Sequence, residues 1–513
     1  MEDEKGRKIK SVLQETALYF AVFVIIFIAY LVFKPLYTVI NRNGIVSQTI
    51  IALSALVIIS VGFYLKQKNK LTYRNIIILL IIFGFILRLG YMLYTPFGVR
   101  QHDTFTSAHD GHYDYAYLMY SEWKLPDTND YQFYHPPLNP FIQAVFMHVY
   151  HFVARGLNSI FHTQYVLEGY ELFGSAQILA TLYSFVTMIV AIKTFKLLNI
   201  KDFGLVIACA LICLFPRFIQ LSGQLNNDML TIMFCFMAMY YTVKWWKNKS
   251  FLNIILLALS IGLAMASKLS GATICLTTAV VFILEFVKTI KTKKAKDIVL
   301  ICSQFVVFLM ICAPIGLWFQ VYAKIRFNQS FGHVFSNLNS ELYVGDQNFF
   351  WRFFFIIPID ELFDSIFCLP FKNYNLFNYA IRSSLFGEFN YWQAESFAVV
   401  SIVLAYLAIL VIFIGTIIYF RNSHKEDFDK KLIFSTLFIG QVFSFVYFNI
   451  QMPYGCTMDF RYVVPITLSI AGFAALADNK LASIEKFKKY LPYYRFIIFA
   501  FLVSISLFYT VAI

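Results

Sequence analysis

Read from the N-terminus, the chain is a succession of long apolar runs separated by short polar ones. A membrane-spanning helix needs about 20 mainly apolar residues. Runs of that kind occupy roughly 16–34, 47–65, 75–94, 172–192, 203–223, 229–246, 251–268, 270–289, 298–320, 395–420, 431–450, 463–479 and 495–513. Each predicts a helix, so the pattern predicts an all-α polytopic membrane protein of about thirteen spans. A further run near 139–153 is shorter and is interrupted by His148 and His151, with Arg155 just beyond. It predicts an amphipathic helix lying in the interface and not crossing.

Charge orders these runs into one topology. With the N-terminus inside and 139–153 not spanning, the segments KQKNK, KTFKLLNIK, KWWKNK, KTIKTKKAK, RNSHKEDFDKK and KLASIEKFKKY all fall on the inner side. The positive-inside rule is then satisfied at every cytoplasmic loop. If 139–153 crossed, every later basic loop would face outward. The expected protein is therefore multi-pass in the plasma membrane, with its N-terminus cytoplasmic and its C-terminus outside. Three outer regions stand out, 95–171, 321–394 and 451–462, and a tight outer turn carries Asn226, Asn227 and Asp228.

Composition agrees. Of 513 residues, 59% are hydrophobic and only 14% charged, with mean hydropathy +0.66. A soluble globule would have a charged fraction nearer a quarter. The net charge of +13 sits in short lysine clusters between apolar runs, as expected of loops facing anionic lipid. That distribution excludes nucleic acid as a partner and makes the bilayer one. The eight cysteines show no metal-binding spacing. Most fall in apolar runs, while Cys368 and Cys456 fall in outer loops, where nothing in the spacing decides for or against a disulfide. The first residues, MEDEKGRKIK, are too polar for a cleavable signal peptide, so the first helix is expected to be retained.

The interval from Arg100 to Pro140 departs from all this. It gathers Asp103, Asp110, Asp114, Asp127, Asp130 and Glu122 with His102, His109, His112 and His135. Loops held by a rigid scaffold often carry function, although a merely solvated loop is the plainer reading. Asp103 and Asp110 stand just past the outer end of the third run, where a carboxylate can be partly desolvated yet reach water. A general base needs that placement. The histidines and aspartates could also hold a divalent metal, but no established ligand spacing is matched, so no cofactor is assigned. His135-Pro136-Pro137 restricts successive backbone residues and reads as a rigid elbow. Arg88, Arg217 and Lys268 are expensive to bury near a membrane; each either snorkels to the surface or holds an anionic phosphate. In Asp459-Phe460-Arg461-Tyr462, Arg461 offers the bidentate donors that suit phosphate.

Taken in order, these motifs resemble a family. D-G-H-Y at 110–113 and H-P-P-L at 135–138 resemble the C-type glycosyltransferases. Their nearest group is the bacterial relatives of protein O-mannosyltransferases and of the lipid A aminoarabinose transferase, glycosyltransferase family 39. RQHD at 100–103, LPD at 125–127, FYHPPL at 133–138, NND at 226–228 and DFRY at 459–462 are similar to a branch common in Gram-positive bacteria. The resemblance runs from about the third span to the twelfth. It implies a helical bundle with its active site at the outer membrane surface, and a sugar donor carried on polyprenyl phosphate. Transfer would be inverting and assisted by an aspartate of the first outer loop, with a glycan, lipid or protein as acceptor.

Mannosyltransferase-like members carry Asp-Glu where this chain has Asp110-Gly111, so the resemblance favours Asp103 as the base. It also implies phosphate binding by Arg461, Lys268 and Arg217, with His102, His112, Tyr113, His135, Pro136, Pro137, Asn227, Asp228, Asp459 and Tyr462 shaping the acceptor or sugar site. The chain then divides into an N-terminal two-helix addition (1–74), a catalytic membrane module (75–480), and a cytoplasmic linker with a last helix (481–513). Two other classes compete. A transferase or polymerase of lipid-linked oligosaccharide would share the outer acids and the carrier. A transporter or flippase would place acids at mid-membrane, where this chain has few.

Overall fold

The computed structural model describes residues 2–40, 44–95, 97–106, 108–334, 340–354 and 365–512. Parts of the expected outer loops, at 96, 107, 335–339 and 355–364, lie outside the described residues. Among the described residues the regular structure is helical, with an isolated antiparallel bridge between Tyr343 and Tyr454. That bridge ties the region 321–394 to the region 451–462.

Among the described residues, nine helices are long and apolar enough to cross a membrane, from Val12–Lys34 to Leu491–Ala512. The remaining expected spans are helical too, but shorter or less apolar: Asp228–Lys247, Phe251–Ser267 and Ile466–Ser483. The run 203–223 is not one helix. It breaks into Asp202–Leu214 and Pro216–Leu221, with Phe215 extended at ψ 124°. Proline clashes with a helical conformation at the residue before it and supplies no N–H. The run at 139–153 belongs to a longer helix, Leu138–Phe161, which is not among the nine. One stripe of it (Asn139, Gln143, Met147, Tyr150, Ala154) is buried, while Phe141, Val145, Val149 and Phe152 are exposed.

The break at Pro216 explains Arg88. Its guanidinium donates to the carbonyls of Cys213 (2.6 Å), Gly84 (2.8 Å) and Ile212 (3.2 Å) and to Ser184 Oγ (2.9 Å). It is fully buried and does not snorkel. A cation at a helix C-terminus satisfies the carbonyls that the ladder leaves open and meets the negative end of the dipole. Gly84 permits the approach, because a Cβ there would lie 2.5 Å from the Cys213 carbonyl oxygen. Lys34 does similar work for the first helix. Its ammonium donates to Met92 O (2.6 Å), Thr95 O (2.8 Å) and Gln177 Oε1 (3.0 Å), so the N-terminal helix is fastened at the C-terminal end of Tyr73–Tyr94.

Candidate active site

Four consecutive residues, Arg100 to Asp103, reach parts of the chain remote in sequence. Arg100 lays its guanidinium over the Tyr391 ring at 4.1 Å and donates to Ala512 O at the end of the last helix. Gln101 clasps the segment before Asn226: its amide donates to Gly223 O (2.9 Å) and its oxygen accepts from Leu225 N (2.9 Å). Gln224 returns the clasp by donating to Arg100 O at 2.7 Å. His102 stands between Glu388 (Nδ1 at 3.4 Å) and Asp459 (Nε2 at 3.6 Å). Asp103 accepts from the Tyr131 hydroxyl at 2.8 Å and lies 3.6 Å from the Arg461 guanidinium.

The motifs at 100–103, 226–228 and 459–462 thus meet. Asp459 is fully buried and accepts from Arg217 Nη2 at 2.6 Å, with Arg461 Nε 3.7 Å away. Asp459 also accepts from the Arg461 backbone N–H at 3.1 Å, which winds the short turn Phe460–Tyr462. Lys268 stands on Asp228 at 2.5 Å. The Tyr462 ring has Lys268 at 4.7 Å and Arg461 at 5.0 Å from its centroid, so it separates two cations while attracting both. Beside them is a cavity of about 20 Å³, bordered by Asp228, Lys268, Ser270, Thr273, Arg461 and Tyr462.

Burial sets the protonation of the site. His102 is held well below the usual histidine range by burial and by the Arg461 and Arg217 charges. Burial likewise pushes His112 down to about 4 and lowers His135. These three imidazoles are therefore neutral hydrogen-bonding groups near pH 7. Glu388 moves the other way, raised by burial and then by the neighbouring Asp459 charge. The Tyr379 hydroxyl donates to it at 2.5 Å.

Some candidates stand elsewhere. Asp110 is turned onto its own loop: Thr106 Oγ1 donates to it at 2.6 Å and accepts from its backbone N–H at 3.0 Å. Gly111 is a packing requirement, since a Cβ there would meet the Thr104 carbonyl oxygen at 2.5 Å. The carbonyls of Asp103 and Thr104 accept from the N–H groups of His112 and Tyr113, capping the helix His112–Glu122. Tyr113 joins an aromatic row with Phe105, Tyr117 and Tyr170. His112 stacks on His135 at 6.0 Å, and Pro136-Pro137 leads directly into Leu138–Phe161. Asn227 donates to Ser267 O at 3.2 Å, which seats it beside Lys268.

Arg217 lies beneath the site. It is fully buried and shared between Asp459 and Gln220, whose amide donates to Phe386 O at 3.1 Å. At Gly387 the backbone (φ +64°) runs so close that a Cβ would overlap Arg217 and Gln220. This turn delivers Glu388, which belongs to none of the sequence motifs; nor do Tyr131 and Tyr391. The available signal for Glu388 was the Phe-Gly-Glu turn that opens an otherwise aromatic stretch of the second outer region.

His102, Glu388 and Asp459 could each offer one ligand atom to a metal, within 4.8 Å of one another. Two guanidiniums already stand on Asp459, and they oppose a divalent cation there by like charge. A larger cavity, about 300 Å³, lies at the other end of the helix Phe251–Ser267 around Lys249, Glu285 and Lys288. Glu285 there is neutralised by both lysines at 2.8 Å, and the cavity brings together none of the motifs at 100–103, 226–228 and 459–462.

No family model matches the chain, and no curated protein matches it. Among solved structures it is similar to the crystal structure of ArnT from Cupriavidus metallidurans in the apo state. The two are 12% identical over 85% of this chain and 75% of that one, with a TM-score of 0.47.

Proposed function

We propose that the protein is a C-type membrane glycosyltransferase that moves a sugar from a polyprenyl-phosphate carrier to an acceptor hydroxyl on the extracytoplasmic face. The observation that carries this reading is the meeting of RQHD, NND and DFRY around Asp103 and Arg461, 3.6 Å apart. A half-exposed carboxylate beside a group of cations at an outer loop is what an inverting transfer from a lipid phosphate requires.

In this mechanism the acceptor oxygen attacks the anomeric carbon from the face opposite the phosphate. The anomeric C–O bond to phosphate breaks, its electron pair stays on the phosphate, and the acceptor proton passes to Asp103. Tyr131 fixes one Asp103 oxygen and leaves the other directed toward Arg461. Arg461 and Lys268 hold the phosphate as it gains charge. Arg217 acts through Asp459, which it anchors, and so positions Arg461. A phosphate ester is already a good leaving group, so no general acid is assigned.

The test is reconstitution of the full chain in lipid nanodiscs with polyprenyl-phosphate sugars, following release of polyprenyl phosphate and the anomeric configuration of the product. Release with inversion, abolished in Asp103→Asn, is the expected result. Retention of configuration, or release unaffected by Asp103→Asn, refutes the mechanism.

A further inference from the structure

The last helix, Leu491–Ala512, follows every motif of the site in sequence, yet its end is built into their surroundings. Tyr509 is fully buried, and its hydroxyl donates to Leu385 O at 2.7 Å, two residues before the Gly387 turn. The Phe508 ring packs on Phe386 at 4.9 Å and on Tyr391 at 5.2 Å. Both ends of the short segment that carries Glu388 therefore rest on this helix. The Ala512 carbonyl is one of those that a helix leaves open at its C-terminus. It accepts from the Arg100 guanidinium at 3.3 Å.

Tyr391 joins this helix to two other parts of the site. On one side Arg100 lies over its ring at 4.1 Å, and Arg100 begins the turn that ends at Asp103. Arg100 and Asp103 both hold left-handed backbone, φ +55° and +53°. Such conformations persist at residues other than glycine where the surroundings fix them. On the other side the Tyr391 hydroxyl accepts from Gln220 Nε2 at 3.4 Å. Gln220 accepts in turn from Arg217, which anchors Asp459 beside Arg461. One ring thus touches the support of Asp103 and the support of Arg461, whose side chains stand 3.6 Å apart.

We propose that the end of the helix Leu491–Ala512 belongs to the catalytic unit, and that Arg100 and Tyr391 are positioning residues through which it fixes Asp103 relative to Arg461. The inference rests on the roles given above to Asp103 as base and Arg461 as phosphate clamp. Arg100 acts through Asp103 and touches no reacting atom. Its loss frees the turn that aims the base and leaves Arg461, Asp459 and Lys268 in place. The cost therefore falls on the chemical step, where a misplacement of about 1 Å can slow reaction a hundredfold, and not on phosphate binding.

The experiment compares wild type, Arg100→Met, Arg100→Lys, Tyr509→Phe and Asp103→Asn as full chains in nanodiscs. Three quantities are measured: Tm, the number and affinity of sites for bare polyprenyl phosphate, and kcat per such site. The donor is the polyprenyl-phosphate sugar that wild type turns over fastest. Arg100→Met should lower kcat about tenfold to a hundredfold, with donor KM and the affinity for bare polyprenyl phosphate unchanged. Arg100→Lys keeps a cation for the Tyr391 ring and a donor for Ala512 O, and should recover most of the rate. Tyr509→Phe loses only the bond to Leu385 O. It should lower kcat in the same sense by a smaller factor, and it carries the test if Arg100→Met does not fold. A brace that served folding alone would lower Tm and the number of lipid sites together and leave kcat per site at the wild-type value. That result in either variant, with Asp103→Asn inactive, overturns this inference and leaves the mechanism intact. Release unaffected by Asp103→Asn refutes the mechanism, and this inference falls with it.

Discussion

The Tyr131 hydroxyl donates to Asp103 Oδ1 at 2.8 Å, and both residues hold left-handed backbone conformations, φ +39° for Tyr131 and +53° for Asp103. Aspartate tolerates that region; a tyrosine there is strained. The strain persists because the neighbouring backbone is pinned: Gln132 N–H donates to Asp110 O at 3.1 Å, and His112 N–H donates to Asp103 O at 3.0 Å. Two loops are thereby locked so that one carboxylate is aimed.

Removing the carboxylate and removing its guide should differ in degree. Asp103→Asn should lower kcat by roughly 10²–10⁴, the range for loss of a general base. Tyr131→Phe keeps the ring and loses the hydrogen bond, so kcat should fall by about tenfold with donor KM little changed. Asp110→Asn, which disturbs only the Thr106 turn, should cost less than either. Steady-state kinetics on the three variants checks the order, and a larger loss in Asp110→Asn than in Asp103→Asn would reverse the assignment.

Arg461 tests the difference between a clamp and a brace. It touches Asp103, Asp459 and the Tyr462 ring, so it could serve stability alone. Lysine keeps the charge and loses the fork. We expect Arg461→Lys to weaken donor use in part and Arg461→Ala severely, in both donor KM and kcat, because the phosphate gains charge as it leaves. Melting curves measured alongside separate the roles. An Arg461→Ala protein that melts early but turns over normally below its Tm would make the residue a brace.

The buried histidines predict acid sensitivity. His112 is held at about 4 against an ordinary value of 6.5, so between those values the unfolded chain binds more protons than the folded one. Stability therefore rises with pH through that window and is lost as pH falls from about 6.5 toward 4. For one group the full effect is ~3 kcal/mol. His102 and His135, lowered by the same burial, add to it in the same direction. Tm measured from pH 7 to 4.5 should fall steeply, and His112→Gln should flatten the slope. An unchanged Tm across that range would mean that the histidines are not buried as neutral groups.

Arg88 offers a control remote from the chemistry. Its four hydrogen bonds serve carbonyls and a hydroxyl around the Pro216 break. Arg88→Met would leave those acceptors unpaired in a dry interior, at a cost of about 3 kcal/mol or more. Tm should drop markedly, and whatever protein remains folded should keep its donor KM. A Tm close to wild type would show that the freed carbonyls find other donors.

The helical runs and the polarity of their connections were legible in the sequence because both are local. A span needs one long apolar stretch, and a lysine-rich loop carries its charge wherever the chain goes. The motifs at 100–103, 226–228 and 459–462 could be read as candidates for the same reason. Their partnership could not. Whether Arg217 snorkels, binds phosphate or anchors Asp459 depends on which carboxylate lies within 3 Å, and that carboxylate belongs to a distant turn. Glu388, one of several acids in its loop, is distinguished only because Gly387 lets its backbone press against Arg217 and Gln220. The break at Pro216 was visible as a residue but not as an event, since the apolar pattern continues across it. Tertiary structure decided these points because the energy of a buried ion depends steeply on distance and on exclusion of water. Residues remote in sequence set both.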